Sequence, residues 1–185
     1  MGRCDEAFDN AGKALVLEPL GRITNAIFGT CYLFAGQVES AAKQYRKIID
    51  LYPDFFPAYF MMATALLRCA RFDESIEFAE KGTQLSGVPR PSVYAGLAYA
   101  ASGRRGRAAE VLEQLILESR ETYIPATAVA TLSLKLGLWA QALKWFEQAF
   151  DERDSSLIFL KSLPMFGITR LIRRIGALVR RMNFP

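Results

Sequence analysis

The chain has 185 residues, 51% of them hydrophobic, with a net charge of +4. That content is too apolar for a disordered chain and sufficient for one domain with a substantial core. There is no histidine, which removes the commonest metal ligand and the commonest general base.

The opening MGRCDEAFDN turns polar and acidic at once, so it is not read as a signal peptide. A first helix is expected near 3–17 and is closed by Pro19. Helices near 22–35 and 37–51 follow, divided by Gly36 and closed by Pro53. Further helices are expected near 56–69, 72–85, 91–102, 105–119, 123–136 and 139–152. The longest uncharged stretch, Ile23–Val38, has 16 residues and falls short of a membrane span. A cytoplasmic location is the expectation. Cys4, Cys31 and Cys69 are odd in number, widely spaced and without a CxxC. They are expected as buried free thiols, with no disulfide framework and no metal site.

The punctuation returns. Gly2, Gly36, Ala70, Gly103 and Gly137 are 34, 34, 33 and 34 residues apart. Five residues after each stands a small side chain: Ala7, Ala41, Ser75, Ala108 and Ala142. Four further on come Ala11, Tyr45, Ala79, Leu112 and Phe146. Upstream lie Phe28-Gly29, Met62-Ala63, Ala95-Gly96 and Val129-Ala130. This pattern of period and columns resembles the tetratricopeptide repeat, over about residues 1–152.

The columns carry a physical meaning of their own. Glycine at the turn takes a left-handed conformation at little cost, whereas Ala70 there would cost roughly 1–2 kcal/mol. The small residues let two antiparallel helices approach, and the larger residue fills the space between turns. Each hairpin leaves an apolar face that only its neighbour covers. The expected fold is therefore all-α: a right-handed α-solenoid of helix hairpins with a C-terminal capping helix. The expected division is a leading half repeat at 1–21 and full repeats at about 22–55, 56–88, 89–122 and 123–152, followed by a cap at 153–185. The half repeat lacks its first helix, which reads as a piece of a longer array.

The region after 152 departs from the period. Ile168, Leu171, Ile172, Ile175, Val179 and Met182 recur at helical spacing. From Ser155 onward the chain holds six cations and no acid. The tail is similar to the C-terminal end of bacterial multidomain regulators that join tetratricopeptide repeats to a winged-helix or cyclase effector. The residues that carry this are Ala142-Leu143-Lys144-Trp145-Phe146-Glu147-Gln148-Ala149, then Leu160 to Phe166 and Arg181 to Pro185. The chain departs from that pattern at Leu163-Pro164-Met165-Phe166-Gly167 and from Arg170 to Ile175.

No catalytic set can be assembled. Hydroxyls lack a histidine base, and Gly103-Arg-Arg-Gly106 lacks the lysine of a phosphate loop. No cofactor is expected. Trp139 and Trp145 are expected to fill the core. What remains is binding. The first helices of such units line a concave side, with inward columns Ala26, Thr30 and Leu33, then Phe60, Thr64 and Leu67, then Val93 and Leu97, then Thr127, Thr131 and Leu134. Family members that grip chaperone carboxylates use lysines and asparagines there, which are missing. A noncatalytic scaffold for a peptide or protein with apolar anchors is the expected function. The alternative is a membrane-surface or nucleic-acid-associated module acting through Arg170, Arg173, Arg174, Arg180 and Arg181.

Overall fold

The computed structural model describes residues 4–87 and 92–157. The expected cap, and with it Arg170 to Arg181, lies outside the described residues. Those residues form nine α-helices and no strand: α1 Cys4–Leu17, α2 Arg22–Phe34, α3 Val38–Leu51, α4 Phe56–Arg68, α5 Phe72–Ser86, α6 Val93–Ala101, α7 Arg105–Glu118, α8 Ala126–Lys135 and α9 Trp139–Asp151. Most ends fall within two residues of the expected ones. The largest shift is at α8, expected from 123 but beginning at Ala126. Pro125 is its N-cap, with an extended backbone that leads the chain into the helix instead of continuing it. Ser92 similarly holds the start of α6, its side chain accepting a hydrogen bond from the Tyr94 N–H.

Four hairpins follow from the pairing of α2 with α3, α4 with α5, α6 with α7 and α8 with α9. Each second helix packs on the next first helix, and α2, α4, α6 and α8 touch in succession. The result is an all-α solenoid of helical hairpins. Helix α1 docks on α2 through Phe8, whose ring meets Phe28 and Tyr32 edge-on at 5.9 and 5.1 Å.

The turns explain the period. The N–H of Gln37 donates to the carbonyl of Tyr32, and that of Gly36 to Leu33. The same two bonds recur as Arg71 to Leu66 with Ala70 to Leu67, Arg104 to Tyr99 with Gly103 to Ala100, and Leu138 to Ser133 with Gly137 to Leu134. This double bond pattern closes a helix when the residue past its end is left-handed. Gly36, Gly103 and Gly137 have φ of +79°, +82° and +75°. Ala70 adopts the same conformation at φ +58°, with a Cβ that glycine would not carry. The pattern also ends α9, where Arg153 has φ +55°.

Ala41, Ala79, Ala108 and Ala142 are wholly buried where the second helices meet the first. Tyr45 and Phe146 fill the space beside them and are also wholly buried. Glycine does the same work on α2: a Cβ at Gly29 would lie 2.5 Å from the Tyr45 ring. The buried side chains form three clusters along the solenoid, bridged by Phe78 and Trp145. Two clusters join neighbouring hairpins, and the third fills the α8–α9 hairpin and meets its neighbour through Trp145, so the core grows by nearest-neighbour burial.

Two expectations need correction. Trp139 opens α9 and is 46% exposed, because the first position of the helix lies at its rim; Trp145, one and a half turns on, reaches the core. Cys31 and Cys69 form no disulfide among the described residues and are only half-buried. Burial and the nearby Glu39 carboxylate both raise the Cys69 thiol pKa above its ordinary value.

Candidate functional site: the face of the first helices

The eleven residues expected to line the groove divide by depth. Ala26, Leu33, Leu97, Thr127 and Leu134 are buried. Thr30, Phe60, Thr64, Leu67, Val93 and Thr131 are half-buried. Four of the buried five serve packing in this structure: Ala26 and Leu33 join the cluster of α2 to α4, Leu97 the central cluster, and Leu134 the last one.

Thr127 has a different task. Its N–H and its hydroxyl both donate to Oδ2 of Asp154, at 3.1 and 2.7 Å. The Ser156 N–H donates to the other carboxylate oxygen at 2.9 Å. Asp154 thus ties the turn after α9 to the N-terminus of α8, where free N–H groups and the helix dipole favour a negative charge. Burial alone raises the Asp154 pKa. The bonds from Thr127 and Ser156 outweigh it and hold the carboxyl below its usual value.

The other three threonines share one geometry. Thr30, Thr64 and Thr131 donate to the carbonyls of Ala26, Phe60 and Thr127, four residues back in their own helices, at 2.9, 2.9 and 2.6 Å. Their hydroxyl protons are committed to the backbone. Thr30 also meets the Tyr45 hydroxyl at 3.3 Å, and burial pushes that phenol's pKa up. What these columns offer outward is mainly methyl groups. The Arg68 guanidinium is likewise engaged, donating to the carbonyl of Leu33.

An exposed apolar row stands beside these columns. Phe56 and Phe60 on α4 meet edge-on at 6.0 Å, and Phe60 stacks on Tyr94 of α6 at 4.9 Å with 17° between planes. Gly82 of α5 makes room for this row: a Cβ there would lie 2.8 Å from the Phe60 ring. Phe56 and Tyr94 remain 39% and 37% exposed, while Ile23 and Ile27 of α2 are 56% and 53% exposed. The expected set held Phe60 but missed Phe56, Tyr94, Ile23 and Ile27. The spacing of four in Ile23/Ile27 and Phe56/Phe60 was the available signal.

Among the described residues, no group of His, Cys, Asp and Glu is placed to hold a metal, and no helix is long and apolar enough to cross a membrane. Acidic side chains are found in surface pairs, such as Arg71 with Glu74 and Arg107 with Glu110 at 2.8 Å.

Hairpins of this length, closed by the same turn every 33 or 34 residues, have the architecture of tetratricopeptide repeats. Tetratricopeptide repeat family profiles match residues 44–77 and 28–54. Among solved structures, the chain is similar to the thermophilic TPR protein TTC0263 of Thermus thermophilus, with 22% identity, 96% of this chain and 92% of that one covered, and a TM-score of 0.67. It is also similar to MamA, at 21% identity, 84% and 86% coverage and a TM-score of 0.53. A putative kinesin light chain of Podosopora anserina with nearly identical TPR-like repeats gives 16%, 85% and 88%, and 0.56. These likenesses concern the fold. No curated protein matches the chain. Tetratricopeptide repeats are in general noncatalytic scaffolds for protein–protein interaction, and that is the class to which this fold points.

Proposed function

We propose that the face of the first helices receives a peptide or partner protein through apolar anchors. The observation that carries this reading is the exposed row of Phe56, Phe60 and Tyr94, with Ile23 and Ile27 on the preceding first helix. Large apolar side chains held in stacked register, yet left in water, are the chemistry of a docking surface. Thr30, Thr64, Leu67, Val93 and Thr131 would border the occupant with methyl and methylene groups. An extended or helical segment with alternating apolar side chains fits such a lining better than a carboxylate-gripping mode. The same resemblance that placed Ala142 to Ala149 in a regulator-type final helix supports a role in a bacterial signalling or transcription regulator of the cytoplasm.

The test is affinity capture with the wild-type chain and with Phe56→Ala/Tyr94→Ala, after circular dichroism has established that both are folded. Partners retained by the wild type and lost by the double variant are expected. Equal recovery by the two would reject this face as the docking surface. Leu97→Ala is unsuited to the purpose, because Leu97 is buried and its truncation reports on stability.

A further inference from the structure

A pocket of about 450 Å³ opens on α3, and none of its residues belongs to the apolar row just described. It is lined by Leu20, Lys43, Arg46, Lys47, Asp50 and Leu51. On α3 these stand at 43, 46, 47, 50 and 51, the spacing of one helical stripe. Three cations and one carboxylate therefore line the same opening.

Contacts on several sides shape the pocket. The Arg46 guanidinium lies over the Phe78 ring at 4.9 Å, and, after the hydrogen bond from Arg71, its charge also helps hold the Glu74 carboxyl below its usual value. Lys47 donates to the carbonyl of Pro19 at 3.3 Å, and the Tyr52 hydroxyl donates to that of Leu20 at 2.6 Å. These bonds hold the turn after α1 against α3 while the Leu20 side chain stays 59% exposed. Lys43 is exposed and makes no ion pair with a described carboxylate.

We propose that this pocket is a second docking site, for an acidic peptide segment of a partner protein with an apolar side chain between its carboxylates. Charge complementarity sets the sign of the occupant. Leu20 and Leu51 call for an apolar group, which a phosphate backbone does not bring. Asp50 opposes a uniformly anionic polymer or surface at the same opening, whereas a peptide places its acids individually.

The test is fluorescence anisotropy with a labelled synthetic peptide bearing glutamates on both sides of a leucine pair. Comparison probes are the same peptide with glutamines, a single-stranded oligodeoxythymidine, and vesicles of equal parts phosphatidylcholine and phosphatidylglycerol. The acidic peptide is expected to bind at least about tenfold tighter than its glutamine counterpart, and Lys43→Glu to weaken it about tenfold. Asp50→Asn, which removes the opposing charge, should tighten it about threefold. Lys144→Glu makes the same change in net charge on the exposed face of α9 and should leave binding within about twofold. Equal affinity for the acid and glutamine peptides would overturn the proposal, as would equal losses in Lys43→Glu and Lys144→Glu. Preferential, Lys43-dependent binding of the oligonucleotide or the vesicles would assign the pocket to another occupant and would also overturn it.

Discussion

Phe146 and Phe56 are the same residue on the same kind of element, yet one is wholly buried and the other 39% exposed. Phe146 belongs to a second helix, where Ala142 and Ala149 thin the backbone approach and α8 lies against it. Phe56 begins a first helix, stacks through Phe60 onto Tyr94 and has water on its outer side. The contrast teaches that one repeat uses its apolar side chains in two ways. The second-helix columns join helices, within a hairpin or between hairpins, while the first-helix row is left for something else to cover.

The largest expected effect lies in the joining columns. Phe146→Ala should lower unfolding stability by about 3–5 kcal/mol in urea denaturation, the cost of emptying a closed site. Phe56→Ala should cost about 1–2 kcal/mol in the same experiment, since its ring is only partly withdrawn from solvent. Similar losses for both would erase the distinction between the regions.

Gly29→Ala sharpens the same point from the backbone side. The added methyl would meet the Tyr45 ring at 2.5 Å, and Tyr45 is wholly buried with no free direction to yield. A loss of about 1–3 kcal/mol is expected.

The turns supply a change of opposite sign. Ala70→Gly should raise the midpoint of denaturation by about 1 kcal/mol equivalent, because it relieves the left-handed conformation and loses little buried surface. Unchanged or reduced stability would mean that the turn at Ala70 exacts no strain.

The smallest effect concerns pH. The Asp154 carboxyl lies below its usual value in the folded chain, so its contribution is fully present above the unfolded value of about 4 and is lost as pH falls through the folded one. The stability difference between wild type and Asp154→Asn should therefore be constant at neutral pH and shrink below about pH 4. A difference that instead grew on acidification would contradict the role given to this carboxyl.

Much of this architecture could be read from residues alone, for a definite reason. A left-handed turn admits few residue types, so Gly36, Gly103 and Gly137 mark it openly, and Ala70 stands out as the exception. Close helix contact demands small side chains, so Ala41, Ala108 and Ala142 mark it as well. The candidate site was less legible. Helical spacing tells which face a residue occupies but not how closely the neighbouring unit covers it. By spacing Ala26, Leu33, Leu97 and Leu134 fall on the expected groove face, yet the neighbouring units bury them. The Thr127–Asp154 clamp joins residues 27 positions apart, outside the repeated columns, and no periodicity points to it. The start of α8 departs from the expected 123 because Pro125 caps the helix, a local feature that the period does not carry.

Hydroxyl-radical footprinting read by mass spectrometry would test the covered and open rows side by side in the intact chain. Phe56 and Tyr94 should be modified at least about tenfold faster than Tyr45 and Phe146, whose rings no solvent reaches. Comparable modification of all four would show that the hairpins do not bury one another as described and that no apolar row is set apart for a partner.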